Sequence, residues 1–324
     1  MDQSESALAR QVNSGVVCAI DLGGTHLRAA LVDQDGNISL RYKQKTPLAN
    51  DPEIIVQAMV GAVREFQEQT SDTQIGAISV VAPGTINAEE GMIVTAPNVS
   101  SLDEFKLCDA LSSELGLPAL LENDANAAAV GELWMGAGRG SRTIVCLTLG
   151  TGVGGGIILG GKLWRGVDGA AAEVGHMCVE PFGGTACPCG SHGCLEVYAS
   201  ATAIVRLTRE ALPRHPASSL HVEQLTSEEI YRAGKNGDRL ALEVFHRMGI
   251  YLGIGIANLI NILNPEMVVI GGGVANGWDL FERDMYDQVA ERAFPMLANR
   301  VKILRAKCGD DAGLLGAARL AFDY

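Results

Sequence analysis

The chain has 324 residues, of which 47% are apolar and 19% charged, so it can build one large domain or two medium ones. Its formal net charge of −13 repels phosphate backbones, so we expect no nucleic acid partner. The chain does not open with a signal-peptide pattern, and it has no run of about eighteen apolar residues. We therefore expect a cytoplasmic protein without a membrane partner.

The predicted elements follow a polar N-terminal segment, residues 1–14, which we expect to be a flexible tail. Apolar runs bounded by turn-forming residues predict strands over residues 16–20, 27–32, 75–81, 120–122 and 267–270. Apolar residues at helical spacing predict helices over residues 52–69, 239–263 and 311–322. The pattern is typical of an α/β protein.

The opening sequence of strand, glycine-rich turn and strand recurs in the middle of the chain. Aligning Val17-Cys18 with Val145-Cys146 brings the two glycine-rich turns opposite each other. A repeat at this long period indicates two related α/β domains. We expect an N-terminal domain over 15–127, onto which the C-terminal helix at 311–324 packs back, and a C-terminal domain over 128–310.

Three glycine-rich turns each follow a predicted strand, at residues 21–25, 150–156 and 271–273. Glycine lets the backbone approach a phosphate chain, and successive N–H groups form a nest for an anion. Three such turns at strand ends indicate a nucleotide cleft. The candidate nucleotide-binding residues are Asp21, Gly23, Gly24, Thr25, Gly150, Thr151, Gly152, Gly154, Gly271, Gly272 and Gly273.

Part of the second turn matches a dinucleotide-binding fingerprint. Gly150, Gly152 and Gly155 have the GxGxxG spacing, and Glu173 lies about twenty residues further on, as the fingerprint asks. The fingerprint also requires a helix directly after the glycines, and the short apolar run 156–159, closed by two more glycines, makes a poor helix. We therefore disfavour a Rossmann fold, and the absence of GxxxxGK[ST] excludes a P-loop at the sequence level.

One histidine and three cysteines, a little past the middle of the chain, have the composition of a structural zinc site. The four candidate ligands are His176, Cys187, Cys189 and Cys194. Without a signal peptide we expect a reducing compartment, where metal is favoured over disulfides. The alternative is a loop of reduced thiols without metal. Cys108 and Cys178 are not needed for this set, and we expect them to be passive.

The segment Asp21–Arg28 resembles the ROK family of sugar kinases and repressors, which have the actin-like, hexokinase-type ATPase fold. The resemblance continues in family order through five further motifs, at residues 96–98, 122–126, 149–154, 172–176 and 187–196. It implies two RNase H-like domains that bind ATP and a sugar in the cleft between them. His26 departs from the family pattern, since many ROK sugar kinases carry Lys there, and we assign it no role.

The resemblance also implies site roles. Asp124 would take the proton of the sugar hydroxyl as ATP donates its γ-phosphate; the alternative is that Asn123 or Asp124 merely caps the following helix. Asp21 would orient Mg²⁺, or else cap its own turn. Zinc would fix one nitrogen of His176 and orient its ring toward the sugar. The implied sugar-binding residues are Asn98, Asn123, Asp124, Glu173, His176 and Glu196.

We expect ATP-dependent phosphorylation of a hexose, with glucose converted to glucose 6-phosphate, because the sugar-binding set resembles the glucose-specific branch. Kinases for fructose, mannose or an N-acetylhexosamine share nearly all of these residues and stay alternatives. A sugar-responsive transcriptional repressor and a non-catalytic sugar sensor are alternatives of another class. We disfavour the repressor, because about fourteen residues precede the first strand and the chain is acidic. The habit of the family suggests a homodimer.

Overall fold

The computed structural model describes most of the chain, over residues 15–47, 50–70, 73–96 and 99–323. The predicted flexible tail at 1–14 and the candidate sugar ligand Asn98 lie outside the described residues. The strands are β1 (Val16–Leu22), β2 (His26–Val32), β3 (Ile38–Lys45), β4 (Ile75–Ala82), β5 (Thr85–Asn87), β6 (Met92–Thr95), β7 (Ala119–Asn123), β8 (Ile144–Leu149), β9 (Val153–Leu159), β10 (Lys162–Leu163), β11 (Met267–Gly271) and β12 (Lys302–Arg305).

The α-helices of the described residues lie between groups of these strands and after the last strand. They are α1 (Pro52–Gln69), α2 (Leu107–Leu115), α3 (Asp124–Trp134), α4 (Glu196–Ala199), α5 (Ala201–Ala211), α6 (Ser227–Lys235), α7 (Arg239–Leu263), α8 (Trp278–Arg292), α9 (Pro295–Ala298) and α10 (Ala312–Phe322). The predicted helix over 52–69 is confirmed at both ends. At its start, the Asp51 side chain accepts a hydrogen bond from Glu53 N and so caps the helix.

In the described part of the chain, the strands form two five-stranded sheets and a two-stranded ribbon, β5-β6. The first sheet has the order β3-β2-β1-β4-β7 and the second has β10-β9-β8-β11-β12. In each sheet the first three strands are antiparallel and the last three are parallel. The two sheets therefore share one topology, and the duplication expected from the sequence is confirmed.

The central strands of both sheets are covered on both faces. All eight residues of β4 are buried, as expected for a parallel strand between two layers, whereas the edge strand β3 alternates half-buried with exposed positions. The core of the first sheet lies against α1, and the core of the second lies against α7. Burial of these apolar faces is the main source of stability in both halves.

Helices α3 and α10 pack against each other between the sheets at very short range. A Cβ atom at Gly316 would lie 1.7 Å from Ala127 O, and one at Gly131 would lie 2.1 Å from Ala312 O, so only glycine allows this contact. α10 also packs on β1 and β4, while α3 packs on β8 and β9. The boundary predicted between residues 127 and 128 lies inside α3, and this helix contacts elements of both halves. The domain limits at 15–127 and 128–310 therefore stay predictions.

A buried carboxylate fixes the C-terminal end of α3 to the segment that leads into α10. Glu132 is 1% exposed and accepts hydrogen bonds from the backbone N–H groups of Ala137 at 2.7 Å, Lys307 at 2.9 Å and Cys308 at 2.7 Å. These donors replace the water that the charge loses on burial. The contact holds the two helices in a fixed relation.

One helix in the described residues, α7, is long and apolar enough to cross a membrane by length and composition alone. The mean hydropathy of its most apolar window is 1.3, and 61% of that window is buried inside the protein. Core helices of soluble proteins pass the same test, and α7 packs along α8. The feature is therefore weak evidence for a membrane span.

Candidate active site

The three glycine-rich turns lie at strand ends, as the sequence predicts. Residues 23–25 join β1 to β2, and residues 150–152 join β8 to β9. In the third turn, Gly271 is the last residue of β11, and Gly272 and Gly273 follow it. The residues after Gly152 form β9 and not a helix, so the structure contradicts the dinucleotide-binding fingerprint, as expected.

The second and third turns are neighbours, because β8 and β11 pair in parallel. Gly272 has a φ of +83°, and a Cβ atom there would lie 2.4 Å from Leu149 O. The second turn is also held by the start of α5, where Ala201 N donates to Gly150 O and Thr202 Oγ1 donates to Thr151 O, each at 2.8 Å. The result is a compact backbone surface at one end of the second sheet.

Asp21 lies at the end of β1, and its carboxylate pairs with the guanidinium of Arg28, directly opposite on β2. The Asp21 side chain is largely buried, beside the position that a Cβ atom on Gly313 of α10 would take. The carboxylate that is expected to orient Mg²⁺ thus already has a cationic partner. Sequence reasoning missed Arg28, because the register that pairs it with Asp21 depends on the exact form of the hairpin turn.

Asn123 caps α3, so the capping alternative considered from the sequence applies to this residue. Its Oδ1 accepts hydrogen bonds from Ala125 N at 2.9 Å and Asn126 N at 3.1 Å, and its Nδ2 donates to Gly84 O at 3.1 Å. These bonds fix the Asn123 side chain at the start of the helix. One Nδ2 hydrogen is left over from the bond to Gly84.

Asp124 is the first residue of α3, and its Oδ1 accepts a hydrogen bond from Ala125 N at 2.8 Å. Solvent reaches its side chain, yet protein surrounds it on most sides. The surrounding protein removes water from the carboxylate, and this raises the pKa of Asp124 above the ordinary value of 3.8. The hydrogen bond from Ala125 N lowers the pKa, whereas the negative charges of Asp21 and Glu173 raise it. Carboxylates from both halves of the chain therefore act on Asp124, at the point where the two halves meet.

A buried glutamate supports the Asn123-Asp124 pair from behind. Glu122 Oε1 accepts hydrogen bonds from Asn123 N and from Asn126 Nδ2, each at 3.0 Å. Its Oε2 accepts from Arg165 Nε at 2.7 Å, and Arg165 follows β10 of the second sheet. The motif at 122–126 includes Glu122, but sequence reasoning missed Arg165, because the partners lie 43 residues apart and Arg165 follows a strand of the other sheet.

The remaining sugar-binding candidates lie near the start of β9. Glu173 precedes the 3₁₀ turn Val174–His176, and its Oε2 lies 3.8 Å from His176 Nε2, so the i, i+3 spacing brings the two side chains together. Glu196 begins α4, and its Oε2 accepts a hydrogen bond from Val153 N at 2.9 Å. A Cβ atom at Gly152 would lie 2.3 Å from the same oxygen, so Glu196 sits directly against the second glycine-rich turn.

The four predicted metal ligands lie together. The donor atoms of His176, Cys187, Cys189 and Cys194 are all within 4.8 Å of one another. Tetrahedral zinc with ordinary bond lengths separates two sulfurs by about 3.8 Å and a sulfur from a nitrogen by about 3.6 Å. Cys189 Sγ lies 3.8 Å from Cys194 Sγ, and Cys187 Sγ lies 3.6 Å from His176 Nδ1. The group can hold a metal ion, and its geometry fits zinc.

Comparison with known proteins gives the family. The model of the ROK family matches residues 17–323. The chain belongs to the ROK family. It is 38% identical to the glucokinase of Halalkalibacterium halodurans over 308 residues, which are 93% of each chain.

Solved ROK structures have the same fold. The ROK glucokinase from Streptomyces griseus in complex with glucose and AMPPNP is 36% identical, with a TM-score of 0.81 over 96% of this chain and 100% of that one. A ROK family transcriptional regulator, a homolog of the E. coli MLC protein, is 27% identical, with a TM-score of 0.85 over 96% of this chain and 80% of that one. The expected fold, two RNase H-like halves of the actin-like, hexokinase-type ATPase class, is confirmed.

Two open depressions in the described surface of this ROK protein lie away from the motif residues. One, of about 410 Å³, lies between α5 and α7 and is lined in part by Arg214, His215 and Arg247. The other, of about 400 Å³, lies beside Glu266 and Arg300. Neither is lined by the glycine-rich turns or by Asp124.

Proposed function

We propose that this chain is an ATP-dependent glucokinase, which transfers the γ-phosphate of ATP to glucose and forms glucose 6-phosphate. The observation that carries the proposal is the position of the Asp124 carboxylate at the start of α3. Asp21 of the first half and Glu173 of the second act on it electrostatically and help to raise its pKa. The relatives named glucokinase, and the solved glucokinase with glucose and AMPPNP, support the same function. A hexose kinase requires such a base beside a phosphate site.

Asp124 acts as the general base in this mechanism. It takes the proton of the sugar hydroxyl as that oxygen attacks the γ-phosphorus, and its raised pKa brings it nearer to the working pH, where proton transfer is more effective. The helix cap at Asn123 holds the backbone of Asp124 in place, and the spare Nδ2 hydrogen of Asn123 is available to a sugar oxygen. Asn98 completes the proposed sugar set.

The glycine-rich turns bind the phosphates through their backbone N–H groups, and the hydroxyls of Thr25 and Thr151 add donors. Asp21 would hold the Mg²⁺ that accompanies ATP, in competition with Arg28, and the ion would supply positive charge against the phosphate oxygens. Closure of the two halves on the sugar excludes water and limits ATP hydrolysis.

Glu173, His176 and Glu196 bind the sugar from the other half in this proposal. The Cys-His group would hold a structural zinc ion through His176 Nδ1, and His176 Nε2 would stay directed to Glu173 and the sugar. Glu196 follows Cys194 by two residues, so a bound ion would also fix the start of α4. A homodimer, a cytoplasmic location and the domain limits at 15–127 and 128–310 stay predictions.

The experiment is a coupled ADP-release assay with ATP over a panel of glucose, fructose, mannose, N-acetylmannosamine and N-acetylglucosamine. We expect the highest kcat/KM for glucose. Preference for another hexose would keep the kinase and change its substrate. Sugar binding without ADP release for any hexose would favour a sensor or a regulator, the class of the MLC homolog, and would overturn the proposal.

A further inference from the structure

Cys178 and Cys194 lie directly opposite each other on two antiparallel segments. Leu195 N donates to Met177 O at 2.9 Å, and Val179 N donates to Gly193 O at 2.8 Å. These bonds flank the cysteine pair and do not involve it, so it is a non-hydrogen-bonded pair, in which opposite Cα atoms are about 4.5 Å apart. Disulfides form at Cα separations of about 4.4–6.8 Å, so the backbone is already suitable for one.

The two thiols differ in what surrounds them. Cys194 is buried and belongs to the metal-binding group, whereas Cys178 is exposed and is not one of the four ligands. A Cβ atom at Gly193 would lie 3.3 Å from Cys178 Sγ, so this sulfur lies beside the backbone that leads into Cys194. Cys178 is therefore a solvent-accessible thiol that the metal does not occupy, next to one that it does.

We propose that Cys178 is a site of oxidative modification, which forms a disulfide with Cys194 when the protein meets a peroxide. The sulfur of Cys178 attacks the peroxide, an S–O bond forms as the O–O bond breaks, and one water leaves. The sulfur of Cys194 then displaces the hydroxyl from Cys178, which forms the S–S bond and releases a second water. Two thiols lose two electrons in total, and hydrogen peroxide is reduced to two waters.

The disulfide removes one ligand from the metal-binding group. His176, Cys187 and Cys189 are then left as an incomplete set, and the ion is released. Leu195 and Glu196 follow Cys194 directly, so the bond between Glu196 and Val153 N is disturbed as well. The loss of sugar affinity rests on the proposed function and the proposed metal, while the disulfide itself depends on neither.

The test uses the full chain loaded with zinc and treated with hydrogen peroxide. Residues 166–205 contain no Lys or Arg, so trypsin leaves all four thiols of this region in one peptide, whereas chymotrypsin cleaves after Phe182 and separates Cys178 from the others. After alkylation of free thiols, mass spectrometry identifies the linked peptides, and a chromogenic chelator measures released zinc. We expect a Cys178–Cys194 link, the loss of two alkylatable thiols and the loss of bound zinc, all reversed by a dithiol with zinc.

The matched variants are Cys178→Ser and Cys308→Ser, the latter at a half-buried thiol outside the group. Before peroxide treatment, Cys178→Ser is expected to be as active as the parent chain. At a peroxide concentration that releases zinc from the parent, Cys178→Ser is expected to retain its zinc, whereas Cys308→Ser releases zinc as the parent does. The proposal fails if Cys178 stays alkylatable after zinc is lost, or if Cys178→Ser loses zinc as fast as the parent. If the untreated chain phosphorylates no hexose, the proposed function fails, while the linked peptides still decide the modification.

Discussion

Arg165 Nε lies 2.7 Å from Glu122 Oε2, and this ion pair connects the segment after β10 in the second half to β7 in the first. The Glu122 side chain is 6% exposed and that of Arg165 is 41% exposed, so the carboxylate is the buried partner. The other oxygen of Glu122 holds Asn123 N and Asn126 Nδ2. The pair therefore couples the relative position of the two halves to the start of α3, which carries Asp124.

Arg165→Met removes the cation and leaves the buried Glu122 carboxylate with fewer partners. We expect the free energy of unfolding to fall by about 1–2 kcal/mol, since the exposure of Arg165 weakens the pair. We expect kcat/KM for the sugar to fall about tenfold, because the Asn123-Asp124 backbone is less fixed. Urea denaturation and steady-state kinetics measure the two effects.

The matched control is Arg232→Met, at an arginine that pairs with Glu228 and Glu229 on the surface of α6. Exposed helix pairs contribute about 0.3–0.5 kcal/mol, and α6 is far from Asp124 in the chain, so activity is expected to stay unchanged. Equal effects of the two substitutions would mean that the Arg165 pair has no special role at the site.

Gly272→Ala is expected to lower the affinity for ATP and the free energy of unfolding, the latter by about 1–3 kcal/mol. The φ of +83° disfavours a side chain, and the added Cβ atom would lie 2.4 Å from Leu149 O. Gly273→Ala is the control for stability, because a Cβ atom there meets nothing within 4 Å, although Gly273 belongs to the same proposed phosphate-binding turn. Thermal unfolding compares the two variants, and a similar loss of stability in both would exclude the packing explanation; calorimetric binding of ATP compares Gly272→Ala with the parent.

Cys189→Ser is expected to remove zinc and to raise the KM for the sugar together, because the ion orients His176 and the start of α4. Loss of an outer support of this kind typically costs about 10–100-fold in affinity or activity. Atomic absorption measures the metal, and steady-state kinetics measures the KM. An unchanged KM in the zinc-free variant would separate the metal from sugar binding.

The raised pKa of Asp124 makes two predictions about pH. As a base Asp124 must be ionised, so kcat falls as the pH decreases through its pKa, and this acid limb begins above the ordinary value of 3.8. A carboxyl group whose pKa is raised by folding stabilises the folded protein when the pH is below the pKa of the unfolded chain. This stabilisation is lost as the pH rises through the pKa of the folded state. Asp124→Asn is therefore expected to be more stable than the parent at neutral pH, a difference that shrinks in acid.

Much of the fold could be predicted from the sequence, because local patterns decide it. The helix over 52–69 shows both its apolar stripe and its cap, and the repeated strand-turn-strand pattern reveals the duplication. The second glycine-rich turn was predicted over residues 150–156, but strand β9 already begins at Val153. Its glycines hide the strand, yet they are required, since a Cβ atom at Gly156 would lie 2.5 Å from the Ala129 Cβ of α3.

The site was predictable where its residues are close in sequence, as in the Cys-His group. Pairs that join the two halves could not be predicted, because no local pattern connects Glu122 to Arg165. The sequence could not decide between helix capping and sugar binding for Asn123, since both favour the same side chain; the structure shows the cap, and sugar binding stays a proposal. Strand β3 was missed because its exposed face is rich in basic residues, as is common at a sheet edge.

The most direct test of the account is the turnover of Asp124→Asn, measured by ADP release at saturating glucose and ATP beside calorimetric binding of glucose. Asparagine keeps the shape and the helix start but cannot take a proton, so we expect kcat to fall by about 10²–10⁴-fold while glucose still binds. A variant that turns over at the parent rate would contradict the assignment of Asp124 as the base and, with it, the proposed mechanism.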